Sequence, residues 1–113
     1  MAEFNRGGLV TLAHVKTEFW MWLGKELGPD FESPTDMRAA LETDVENGTT
    51  VQQLFEEIAE KYPVVREKIY PDHQLGQYIV ATLNYKGMNR AELLERVLQD
   101  GDVVTVLPIY VGG

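Results

Sequence analysis

Residues able to do chemistry are few in this chain. It has no cysteine and only two histidines, His14 and His73, so disulfides, thiolate catalysis and thiolate metal sites are excluded together. His73 stands beside Asp72 with no second ligand at metal spacing, and His14 falls within a strand-like run, so no metal site is expected. Glu56, Glu57 and Glu60 fall on the side of a helix that reads as solvated, where a run of charge is an ordinary wet face. GxGxxG, P-loop and GxSxG patterns are all absent. What remains is the main chain itself. The sequence closes on Gly112 and Gly113 after Val103 to Val111 (VVTVLPIYV). Two residues without side chains make a slim tail that passes through a narrow channel, and we expect the α-carboxylate of Gly113 to be the working group.

That tail needs a scaffold. Val103 through Leu107 are apolar or β-branched at every position, which reads as a strand buried on both faces. Leu9 to Val15 (LVTLAHV) reads as a first strand. Lys16 to Gly24 (KTEFWMWLG) fits a helical face through Phe19, Trp20 and Leu23 or a strand face through Phe19, Met21 and Leu23. We read it as a short helical turn stopped at Gly24. Trp20 and Trp22 are expected to pack beside the core strand rather than form an exposed binding patch. Leu27 to Asp36, with two prolines and a glycine, reads as a loop.

Met37 to Glu46 reads as a second strand, with Leu41, Thr43 and Val45 on one face and Glu42, Asp44 and Glu46 on a solvated one. Asn47-Gly48 supplies a turn. Thr49 to Tyr62 holds the clearest helix: Thr50 and Gln53 fit a capping box, and Val51, Leu54, Phe55, Ile58 and Tyr62 recur at helical spacing. Pro63 ends it. Val64 to Ile69 adds a turn, and Tyr70 to Gly76 is a loop. Tyr78 to Asn84 reads as a third strand closed by a turn through Tyr85, Lys86 and Gly87. Asn89 and Glu92 cap a short helix with Ala91, Leu94, Val97 and Leu98 on one face, and Asp100-Gly101-Asp102 turns into the final strand. The order predicts an α+β fold, a small mixed sheet with one main helix packed across it. Its first and last strands lie parallel and central, and both are apolar almost throughout for that reason.

At 113 residues the chain is expected to be a single domain, 1–113, with Met1 to Gly8 a flexible arm and Ile109 to Gly113 a mobile tail. No apolar run approaches the roughly 20 residues needed to cross a bilayer, and MAEFNRGG lacks a signal peptide's basic and apolar regions. The expected compartment is the cytoplasm. A net charge of -8 disfavours nucleic acid and anionic membrane as partners and favours a protein with a basic face.

Four stretches together resemble a known family: the helix segment GTTVQQLFEEIAEKYP (Gly48 to Pro63), the turn and strand DGDVVTVLP (Asp100 to Pro108), LVTLAHVKTEFWMWLG (Leu9 to Gly24) and VATLNYKG (Val80 to Gly87), with Gly112-Gly113 at the end. They resemble the ubiquitin-like β-grasp sulfur-carrier proteins, and most of all the small subunit of molybdopterin synthase. The resemblance implies a β-grasp fold and a non-catalytic carrier that binds no cofactor of its own. An E1-like adenylyltransferase uses ATP to adenylate the carboxylate at the position of Gly113. Sulfur from a sulfur donor enzyme replaces AMP, and the thiocarboxylate enters the molybdopterin synthase large subunit or another sulfur acceptor. By the same mapping Gly112 keeps the tail slim, and Pro108, Ile109, Tyr110 and Val111 guide it into the partner. The molybdopterin branch commonly carries a second proline in this tail, whereas here Ile109 and Tyr110 follow Pro108. Further readings share the activated carboxylate or dispense with it. Those that share it are a carrier for thiazole synthesis or another sulfur pathway and a ubiquitin-like modifier conjugated through Gly113; the one that dispenses with it is a non-covalent interaction domain using Trp20, Trp22 and the acidic faces.

Overall fold

Alternation along Leu12 to Phe19 sets the architecture. Ala13, Val15, Thr17 and Phe19 are buried on one face, while His14, Lys16 and Glu18 face away, the period-two pattern of a strand wet on one side. The computed structural model describes residues 11–21, 28–35 and 38–109. In it this run is strand β1 (Leu12–Phe19), followed by β2 (Glu32–Thr35), β3 (Arg38–Glu46), helices α1 (Val51–Lys61) and α2 (Pro63–Lys68), β4 (Ile79–Leu83), α3 (Arg90–Glu95) and β5 (Val103–Pro108). The five strands form one sheet in the order β2-β3-β1-β5-β4. β1 lies antiparallel to β3 and parallel to β5, and β4 closes the far side antiparallel to β5. The first and last strands are thus parallel and central, the β-grasp arrangement the sequence implies.

α1 crosses one face of this sheet. Thr50 Oγ1 accepts from the Gln53 backbone N–H at 3.2 Å and Gln53 Oε1 accepts from the Thr50 N–H at 2.9 Å, completing the capping box. Val51, Leu54, Phe55, Ile58 and Ala59 are its buried face, packed with Phe19, Ile69, Tyr70, Val104 and Val106 into one core. Each fully buried large side chain there contributes about 1.5–3 kcal/mol by leaving water. Tyr62, in extended backbone at φ -123°, is at once the C-cap of α1 and the N-cap of α2, with Pro63 opening the second helix; proline ends one helix and suits the first turn of the next. Phe31 stands edge-on between Phe19 (centroids 5.7 Å apart) and Tyr62 (4.8 Å), tying the segment before β2 to the core.

Several expectations are corrected. Lys16 to Phe19 form no helical turn: they continue β1, held by β3 on one side and β5 on the other, and pairing on both edges outweighs the local ambiguity. Leu9, Val10, Trp22 and Gly24 lie outside the described residues. The stretch read as a loop contains β2, a four-residue edge strand with a register shift against β3; prolines are tolerated at such an edge. β1 is not apolar throughout, because its second face carries His14, Lys16 and Glu18, which are exposed or half-buried. α3 ends at Glu95, its buried residue is Leu93 and not Ala91, and Val97 beyond it is 45% exposed. Asn89 does cap this helix, accepting from the Ala91 and Glu92 N–H groups.

Candidate functional site

β5 carries the chain to the site. Thr105 and Val106 pair with Glu18 and Phe19 of β1 on one side and with Thr82 and Ala81 of β4 on the other, so the strand is held along both edges. Its start is fixed by a locked turn. Gly101, at φ +89°, adopts a conformation open to glycine. The buried Asp102 accepts from the Gln99 N–H at 2.8 Å and from Asn84 Nδ2 at 3.0 Å. Asn84 Oδ1 accepts in turn from the Val103 N–H at 2.9 Å. His14 joins from β1, its N–H donating to Asp100 Oδ1 and its carbonyl accepting from Gly101.

At the other end Pro108 stands opposite Ile79, and the Ile109 N–H donates to the Tyr78 carbonyl at 2.7 Å. Pro108 is half-buried and Ile109 is 42% exposed. Tyr110, Val111, Gly112 and Gly113 lie outside the described residues, so of the sequence-derived site the structure places Pro108 and Ile109 only.

Alongside Thr105 and Val106, in the middle of β5, the outer face of the sheet holds a polar and aromatic cluster that the sequence reading does not assemble. Glu18 Oε1 accepts from Thr105 Oγ1 (3.2 Å), Tyr85 OH (3.0 Å) and Trp20 Nε1 (3.2 Å). Glu18 Oε2 lies 3.8 Å from Lys16 Nζ. Trp20 donates its backbone N–H to the Val106 carbonyl, carries the Arg38 guanidinium 4.3 Å over its ring and lies 6.3 Å from the Tyr85 ring; a cation above indole is an attractive pairing. Trp20 is therefore half-buried on the outer face, not packed in the core. The signal that finds Glu18 is the alternation of β1 carried on to Phe19.

The two histidines have carboxylate partners. On the outer face His14 Nδ1 lies 2.7 Å from Asp44 and Nε2 2.6 Å from Glu42, and the bonds to Glu42 and then to Asp44 raise its pKa above 6.5. On the helix side His73 Nδ1 lies 2.8 Å from Glu56. Glu56, expected on a wet face, is half-buried and also accepts from Tyr70 OH at 3.1 Å; the His73 bond, ahead of the Tyr70 bond, holds its carboxyl below 4.5. Among the described residues no group of three or more histidine or acidic side chains is arranged to hold a metal ion, and no helix is long and apolar enough to cross a membrane.

Solved structures share this fold. The small archaeal modifier protein 1 of Haloferax volcanii superposes with a TM-score of 0.65 at 17% identity, over 87% of this chain and 99% of its own. A Pyrococcus furiosus protein assigned as molybdopterin converting factor, subunit 1, gives 0.60 at 22% identity over 87% and 99%. A chain of the Amycolatopsis orientalis BexX/CysO complex gives 0.58 at 22% over 88% and 99%. At these identities the likeness is one of fold. No relative is found among curated proteins by sequence. The ThiS family model matches residues 31–113, which takes in the main helix, the locked turn, all of β5 and the diglycine. The match covers well over half of the chain, and the chain belongs to the ThiS family of ubiquitin-like β-grasp sulfur carriers.

Proposed function

We propose that this protein carries sulfur as a thiocarboxylate on Gly113 and delivers it in molybdopterin synthesis. The observation that carries the reading is the exit of β5: a strand held on both edges, its last described residue tied to Tyr78, with four residues between Ile109 and the end of the family match. Four residues reach at most about 14 Å, so a rigid base aims a short probe. Among the described residues at that base, Pro108 and Ile109 carry no nucleophilic or titratable side chain.

The chemistry then belongs to partners. A carboxylate is a poor acyl donor because oxide is a poor leaving group. In an E1-like adenylyltransferase the Gly113 carboxylate oxygen attacks the α-phosphorus of ATP and pyrophosphate leaves; hydrosulfide released by a sulfur donor enzyme then attacks the acyl carbon, the acyl C–O bond breaks and AMP leaves. The resulting thiocarboxylate is the better nucleophile at neutral pH. Gly112 lets the tail enter a narrow channel of the large subunit, and Pro108, Ile109, Tyr110 and Val111 line its approach. Trp20, Arg38 and Tyr85, packed together on the outer face of the sheet, supply contact area for a docking partner.

Intact mass spectrometry tests this after incubation with ATP, a cognate activating enzyme and a sulfur source. A gain of about 16 Da, the replacement of oxygen by sulfur, is expected at Gly113 and is abolished by deleting that residue. A heavier adduct linked to lysine identifies a modifier instead. An unmodified chain alongside a demonstrably active enzyme removes the carrier reading.

A further inference from the structure

Among the described residues a strand edge is left open on the far side of the sheet from β5. β2 covers β3 only from Arg38 to Ala40. Leu12 stands opposite Glu46, and the Asn47 N–H donates to the Thr11 carbonyl at 2.9 Å. Odd-numbered residues of β3 therefore exchange hydrogen bonds with β1, and the N–H and C=O groups of Glu42 and Asp44 point the other way. Among the described residues nothing pairs with them.

Beneath this edge, between β3 and α1, runs a groove of about 540 Å³ floored by Leu41, Thr43, Ile58 and Tyr62. Its rim is acidic. Asp30, Glu42, Asp44 and Glu57 line it against Lys61 as the single cation. His14 takes one oxygen each of Glu42 and Asp44 and leaves the others to solvent.

We propose that this edge receives an extended basic segment of a partner protein as an added strand, with aliphatic residues alternating with lysine or arginine. Strand addition needs free backbone groups on an edge and pockets for alternate side chains, and among the described residues both are present. Because side chains of a strand alternate in direction, the aliphatic ones drop onto Leu41, Ile58 and Tyr62 while the basic ones lie beside Glu42 and Asp44 on the outer face. The charge of the rim selects the sign of the partner, and the net charge of -8 draws it in. The edge lies away from β5 and does not depend on the chemistry of Gly113.

Amide chemical shifts of the full isotope-labelled chain, titrated with a peptide of alternating valine and lysine, test the proposal. Shifts are expected to concentrate in 41–46 and 57–62. Methylating the peptide's alternate backbone nitrogens, which removes the strand hydrogen bonds and keeps the charge, should weaken binding by about tenfold or more. Glu57→Lys, an exposed substitution on the helix wall, should weaken it several-fold and flatten its salt dependence. Equal binding by the methylated peptide, or shifts scattered away from residues 41–46, overturns strand addition. If the same amides shift with protein concentration when no peptide is present, a second copy occupies the edge and the basic partner is rejected.

Discussion

Tyr62 shows how much one residue can hold. Its backbone joins two helices, its ring packs on Phe31, and its hydroxyl donates to Asp30 at 2.7 Å. Burial, and then the bond to Asp30, push its pKa up to about 12. The folded protein therefore keeps this proton at a pH where the unfolded chain has lost it. The stabilisation is complete below the unfolded pKa of 10.0 and drains away as pH climbs through about 12, a change on the order of 2–3 kcal/mol. Urea denaturation between those limits should fall more steeply for the wild type than for Tyr62→Phe, and parallel curves would contradict the assignment. Thr17 presents the reverse case. Its hydroxyl is fully buried on the core face with no hydrogen-bond partner, so Thr17→Val, which keeps the shape, should stabilise by about 1 kcal/mol in the same assay. Glu18, one residue on, marks the limit of sequence reading at this scale. The carboxylate is plain in the sequence, but its partners Tyr85 and Thr105 are 67 and 87 residues away, and only the sheet brings them together.

Elements were legible where local and tertiary preferences agree. α1 announced itself by its capping box and its apolar stripe, and β3 by strict alternation, because each signal is complete within the segment. β1 was not legible over its second half: Lys16 to Phe19 satisfies both periods, and the choice is made by β3 and β5 on its two edges. β2 is hidden among prolines, since a four-residue edge strand needs few backbone bonds. α3 is shorter than its spacing suggests, because Val97 and Leu98 continue the apolar pattern while serving other contacts: Val97 bridges to Thr50, and the Leu98 N–H donates to the Thr49 carbonyl. The turn at Asp100 to Asp102 was readable as a turn, but its lock on Asn84 was not. Asp102→Ala removes a charged acceptor from two donors at once, and a loss of about 2–3 kcal/mol is expected by thermal or urea denaturation. A change below a few tenths would show that the turn holds without it.

For the molecule as a whole, charge and topology matter most. Eighteen acidic residues against ten basic ones leave a net -8 on a small body, and mutual repulsion of this kind opposes compaction. Sodium chloride raised from millimolar to several tenths molar should increase the melting temperature, since screening shortens the reach of that repulsion; a flat or falling response would mean that local ion pairs dominate. The central pairing of β1 with β5 has a mechanical consequence. The two strands run parallel, with Lys16 beside Val103 and Phe19 beside Val106. Tension between the segment before β1 and the tail after β5 therefore slides one strand along the other instead of peeling them apart. Every bridge between them must yield together, so such tension meets a clamp, and the sheet resists being unravelled from its two central strands.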